Sequence, residues 1–144
     1  MRKSSWNKVI WVAIQNLKDL FEQKPEYIER EYVSIDEIFL ACEEELYVLQ
    51  APRREIELRL FALALYCDKT YNWDFFSSIT FSRFAGALDF FHFEHAVKAL
   101  IEESSPTLVI FWVIFRLSFV NYLPRNVYLP LETELRGRVL NFLH

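Results

Sequence analysis

Two imidazoles stand three residues apart in this 144-residue chain, His92 and His95, with Asp89 and Glu94 beside them. On a helix, residues spaced by three or four share an edge, so Asp89, His92 and His95 line up and the two histidines can share a metal ion. A stable site needs more ligands, and Glu94 leaves that edge at this spacing. The run His92-Phe93-Glu94 echoes half of the zinc-deaminase pattern, but its Pro-Cys-x-x-Cys half is missing. The pair therefore reads as partly exposed histidines near a helix break, with no metal expected.

Nucleophiles and phosphate loops are equally scarce. Cys42 and Cys67 fall in apolar helical patterns and read as small buried hydrophobes, too few for a disulfide framework and without zinc-ligand spacing. Asp68 and Asp74 are near neighbours, yet nothing in their spacing separates an acid–base pair from surface charge. Gly86 and Gly137 are the only glycines, which leaves no room for Gly-rich phosphate cradles, nucleophile elbows or dinucleotide fingerprints. The same scarcity suggests little use of left-handed turns. No catalytic residue and no cofactor is assigned on these grounds, and a non-enzymatic role is the expectation.

Charge is the more informative feature. The chain carries a formal −4, but unevenly. Residues 1–25 hold five basic and two acidic side chains, residues 26–45 hold eight acidic and one basic, and the remainder balances ten against ten. Within the acidic block, Glu43, Glu44 and Glu45 each step about 100° around a helix, so they cannot all face a core. With Glu37 they are expected outside, as a steering surface for a basic protein partner, with Tyr47 and Tyr32 as aromatic anchors. Direct nucleic-acid binding is not expected of such a surface, because affinity there comes from neutralising phosphates.

In charge and size the chain is similar to bacterial toxin-neutralising proteins, and that likeness carries no motif. The sharpest expectation from it is an immunity or antitoxin-type inhibitor that lays carboxylates where a nuclease toxin would hold phosphates. Two alternatives stand beside it: a helical metal-binding protein or enzyme using His92 and His95, and a structural subunit whose apolar 108–115 stretch packs on another chain.

The elements that must position these residues read as helices. Trp6, Val9, Ile10, Ala13, Ile14, Leu17, Leu20 and Phe21 repeat at helical spacing over 5–23, and Pro25 stops that segment. Ser34 and Glu37 form a capping-box pattern, which predicts a helix start at Ser34 with Ile35, Ile38, Phe39, Cys42, Leu46 and Leu49 inward. Residues 53–71 follow Pro52, with Ile56, Leu60, Leu63, Ala64 and Cys67 inward and Arg53, Arg54, Glu55, Glu57 and Arg59 facing water. A corner at 72–74 gathers Tyr66, Tyr71, Trp73, Phe75 and Phe76. Residues 75–105 read as one broken helix or two, with stripes over 81–91 and 96–101. Ser105-Pro106 opens an all-apolar segment to about 123, expected to be the central helix, and Pro130 opens the last.

The β-branched and aromatic content of 107–115 is compatible with a strand, but no partner strand accompanies it. The fold class is thus all-α: one domain over 1–144, about six helices in irregular antiparallel pairs around a central helix at 106–123. The basic, apolar N-terminus lacks a cleavage site and the longest apolar run, 108–115, falls well short of the about 20 residues a bilayer needs, so a cytoplasmic protein without a membrane span is expected.

Overall fold

The computed structural model describes residues 2–23, 28–71 and 90–142, with side chains described over 5–22, 34–67 and 90–142. Six helices account for most of them: α1 (Arg2–Gln23), α2 (Ile28–Val48), α3 (Arg53–Tyr71), α4 (Phe90–Glu102), α5 (Leu108–Ser118) and α6 (Arg125–Leu140). No strand occurs among the described residues, and 107–115 enters a helix.

The periodic stripes become the core as their spacing requires. In α1, Trp6, Val9, Ile10, Ala13, Ile14, Leu17 and Phe21 are buried; in α2, Ile35, Phe39, Cys42 and Leu46 are. These faces meet each other and α3, so α1, α2 and α3 form a mutually packed group. On its other side α3 packs against α5, which in turn carries α4 and α6. The molecule is therefore an all-α bundle with a two-helix seam, α3 on α5, at its middle.

The apolar central helix expected at about 106–123 is α5, which packs against α3, α4 and α6, and α3 shares the interior with it. Helix α5 ends earlier, at Ser118, where the Phe119 N–H still reaches the Phe115 carbonyl at 3.0 Å. Helix α3 is at least as enclosed: Arg59, Leu60 and every residue from Ala62 to Cys67 are buried. A run without a polar face belongs in the interior of a bundle, and here two helices have that property. The apolar side chains Leu108, Ile110, Phe111, Ile114 and Phe115 are buried within the chain itself, and Val109, Trp112 and Val113 are partly buried.

Three helix boundaries differ from expectation, each for a local reason. Helix α2 begins at Ile28, six residues before Ser34, so Ser34 sits inside the helix and the capping box does not form. Glu29, Arg30 and Glu31 are good helix formers, and continuing a helix costs less than nucleating one at a cap. Helix α6 begins after Pro124, whose carbonyl accepts from the Val127 and Tyr128 amides at 2.9 Å, and not at Pro130. Pro130 lies within it and leaves one backbone acceptor without its usual donor. Helix α5 begins at Leu108 and not at Ser105-Pro106, because residues 105–107 first make a turn in which Ser105 Oγ accepts from the Thr107 N–H at 3.2 Å.

Two turns use left-handed backbone without glycine, against the expectation drawn from glycine scarcity. Gln50 has φ 63° and Ser104 φ 51°. In each case the amide of the next residue reaches back five positions (Ala51 to Leu46, Ser105 to Leu100) while the left-handed residue's own amide reaches back three. These paired bonds are Schellman caps, which close a helix and satisfy its last carbonyls. The first sets the tight α2–α3 hairpin; the second sets the bend from α4 to α5.

Among the described residues, an aromatic cluster fills the space between α4, α5 and α6. Phe93 is fully buried against Phe111, Phe115 and Phe119, with ring centroids 5.1–5.6 Å apart, and Tyr128 stacks on Phe115 at 4.7 Å. Phe91, expected on the inner stripe, is exposed, and Phe93 takes the core position instead. Phe75, Phe76, Trp73, Asp74, Gly86 and Asp89 lie outside the described residues, as do the side chains of Tyr71, Asp68 and Tyr32.

Candidate protein-docking site

Helix α2 is bound on both flanks, by α1 and by α3, and its remaining surface holds the acidic residues. Glu37, Glu44 and Glu45 are exposed, as expected, and form no ion pair among the described residues. Glu43 differs. Its side chain is only 23% exposed, and the Arg53 guanidinium at the start of α3 donates to it at 2.8 Å. Arg53 also bonds Glu57 one turn along α3, at 3.1 Å. Both carboxylates favour the charged guanidinium, and hydrogen bonding to Glu43 is the largest reason that its pKa is raised.

Helical geometry divides the acidic surface into two clefts. Glu37 and Glu45 border the cleft between α1 and α2, of about 380 Å³, with Val9, Val12, Ala13, Asn16, Ala41 and Cys42. Glu43, Glu44 and Tyr47 border a larger groove between α2 and α3, of about 560 Å³, with Leu40, Val48, Arg53 and Ile56. The expected anchor Tyr47 is 77% exposed, and beside it Val48 is 75% and Leu40 43% exposed. Leu40, Glu44 and Tyr47 follow one another at i, i+4 and i+7, so a carboxylate stands between two apolar side chains on one ridge. Leu40 and Val48 carry no charge and were not singled out by the acidic pattern; their signal in the sequence was their place opposite the inner stripe.

A second polar constellation lies inside the bundle, where the sequence pattern put solvent. Arg59 is fully buried and Glu55 nearly so, overturning the expectation that both face water. The Arg59 Nη2 donates to Asn7 Oδ1 at 2.8 Å and to Thr107 Oγ1 at 3.3 Å, while Nη1 donates to the Glu55 carboxylate at 3.2 Å. Thr107 Oγ1 donates in turn to Glu55 at 3.0 Å. The guanidinium also lies over the Trp6 ring, 5.4 Å from its centroid, and the Trp6 indole N–H donates to the Leu49 carbonyl. Four elements are thereby tied at one point: α1, the end of α2, α3 and the lead into α5.

Burial lowers the Arg59 pKa, and the Glu55 hydrogen bond and charge oppose it. Asn7 Oδ1, Thr107 Oγ1 and Glu55 Oε1 each accept a hydrogen bond from within the set. Its chemistry is that of a clamp.

Elsewhere the thiols are shielded. Burial pushes Cys42 up to about 12, helped by the Glu45 charge, so at neutral pH it is a protonated, unreactive side chain. Cys67 is buried as well. His92 and His95 are exposed, His92 edge-on to the Phe91 ring at 5.5 Å, and no group of three His, Cys, Asp or Glu able to hold a metal occurs among the described residues. No helix among them is long and apolar enough to cross a membrane.

No protein-family model, curated protein or solved structure matches this chain.

Proposed function

We propose that this protein is a non-enzymatic binding module that docks a basic protein partner on the outer face of α2. One observation carries the reading: Leu40, Tyr47 and Val48 stand exposed among Glu43 and Glu44 beside the α2–α3 groove. Large apolar side chains gathered in water are costly unless a partner covers them, and tyrosine at such a place buries much area with few rotors. The surrounding carboxylates supply the steering field, which governs association rate and choice of partner more than final affinity.

In its sharpest form the module is an inhibitor of the immunity or antitoxin type, closing the basic active-site cleft of a nuclease toxin. Carboxylates fixed on a rigid helix would stand where phosphates bind and keep the nucleic acid out. Supporting this form are the size of the chain, the localisation of acid on one helix, and the rigid clamp behind that helix.

The reading is tested by capture on immobilised protein from cells of its own source, with wild type and the double variant Glu44→Lys/Glu45→Lys side by side. A basic protein retained by wild type, released by raised salt and lost on the variant is the expected result. Retention of the same protein by both, without salt dependence, contradicts the reading.

A further inference from the structure

The acidic face offers two clefts, and they are not equivalent. The α1–α2 cleft has one large exposed apolar side chain, Val12, and its other wall is the net-basic first helix. The α2–α3 groove has three, Leu40, Tyr47 and Val48, over a floor that includes the buried Ile56. It also holds a carboxylate of a different kind. Glu43 is largely enclosed and already oriented, and the cation that meets it, Arg53, is itself 62% exposed and shared with Glu57.

We propose that the α2–α3 groove seats an amphipathic basic segment of the partner, with its apolar side chains beside Leu40, Tyr47 and Val48 and its cation replacing Arg53 on Glu43. This inference rests on the docking reading above and names the seat and the chemistry of its occupant. Charge complementarity selects the occupant: around the groove stand Glu43, Glu44 and Glu57 against Arg53, a net negative rim enclosing apolar surface. An amphipathic helix laid in such a groove presents apolar and basic residues at the spacing of Leu40, Glu44 and Tyr47.

Arg53 in this account is a placeholder. The Arg53 side chain stands largely in water, which weakens its hold on Glu43, so an incoming guanidinium or ammonium can take the enclosed carboxylate while Arg53 keeps Glu57. Removing Arg53 should therefore tighten binding, the reverse of what loss of an ordinary interface contact does.

The test is a titration of isotope-labelled full-length protein, read by amide chemical shifts, with an 18-residue Leu/Lys/Arg amphipathic peptide. A Ser/Lys/Arg peptide of equal charge and a Leu/Glu peptide serve as comparisons. Expected are saturable shifts over 40–48 and 53–57, at least tenfold weaker binding of the Ser-containing peptide, and none of the acidic one. Leu40→Ala and Tyr47→Ala, both at exposed positions, should each weaken binding about tenfold, and Arg53→Gln should strengthen it several-fold, with circular dichroism confirming that each variant is folded.

Saturable, salt-sensitive shifts confined to 9–16 and 37–45 would place the occupant in the α1–α2 cleft, overturning this inference while leaving the docking reading intact. Absence of saturable shifts with the Leu/Lys/Arg peptide would overturn both. Binding in the groove that Arg53→Gln leaves unchanged or weakens would refute the exchange at Glu43.

Discussion

Arg59 is the residue on which most of the fold converges. Taking a guanidinium fully out of water is expensive, and Glu55, Asn7, Thr107 and the face of Trp6 offset most of it here, while the buried Nε has no hydrogen-bond partner among the described residues. Removing one member of such a pair leaves the other buried and uncompensated. Arg59→Met should therefore destabilise the protein by about 3–5 kcal/mol in urea unfolding. Combining it with Glu55→Leu should recover part of that loss, because the buried carboxylate, left with Thr107 and with Arg54 at 3.8 Å, goes too; Asn7 and Thr107 stay short of a partner. Equal loss in the single and double variants would show that the clamp is not coupled.

Cys42 yields a pH prediction of definite sign. Its thiol titrates near 9.0 when unfolded and is pushed up to about 12 in the fold. Below pH 9 both states hold the proton and the preference is fully present. Above it the unfolded chain releases the proton and the native one does not, so stability falls as pH rises toward 12. The slope for one such group is about 1.4 kcal/mol per pH unit. Cys42→Ala should flatten the decline of melting temperature between pH 9 and 11 relative to wild type; parallel declines would remove Cys42 as the cause.

At the scale of elements, the inner faces of α1 and α2 were legible because apolar residues at a 3.6-residue period can satisfy only a helix lying on a core. The helix ends were less so. Gln50 and Ser104 adopt a conformation that glycine usually advertises, and neither residue type signals it. Replacing the side chain there relieves a left-handed strain of roughly 1–2 kcal/mol, partly offset by the greater freedom of glycine in the unfolded chain. Gln50→Gly and Ser104→Gly should each stabilise the fold by about 0.5–1 kcal/mol in denaturant titrations. A loss of stability would mean that side-chain contacts outweigh the backbone strain.

The clamp was illegible for a different reason. Glu55 and Arg59 stand four apart near the start of α3, the spacing of a solvated surface pair, and what buries them comes from 52 residues away at Asn7 and 48 at Thr107. Periodicity reports the face a residue occupies on its own helix. It cannot report that two neighbouring helices close over that face. On α2 the reverse applied: Glu37, Glu44 and Glu45 were placed outside by spacing alone, while the capture of Glu43 by Arg53 needed the hairpin geometry that Gln50 creates.

At the scale of the molecule, a net charge of −4 understates the polarity of the surface. Residues 26–45 carry eight acids against one base, with Glu37, Glu44 and Glu45 on the exposed face of α2, and that helix is packed against α1 and α3 with the clamp at its end. A rigid charged face costs little further ordering when a partner arrives, which favours fast, salt-sensitive association followed by apolar contact. In the proposed docking, exposed Leu40, Tyr47 and Val48 would supply the second stage and Glu44 the first.

The most direct measurement of this account is the association rate constant of a captured partner with wild type and with Glu44→Lys, followed by stopped flow at about 50 and 300 mM salt, a range over which screening of exposed charges changes strongly. Expected are a rate that falls roughly tenfold or more with salt for wild type, a slower and nearly salt-independent rate for Glu44→Lys, and unchanged thermal stability of the variant. Equal rates for the two proteins, unaffected by salt, would contradict docking on the acidic face of α2.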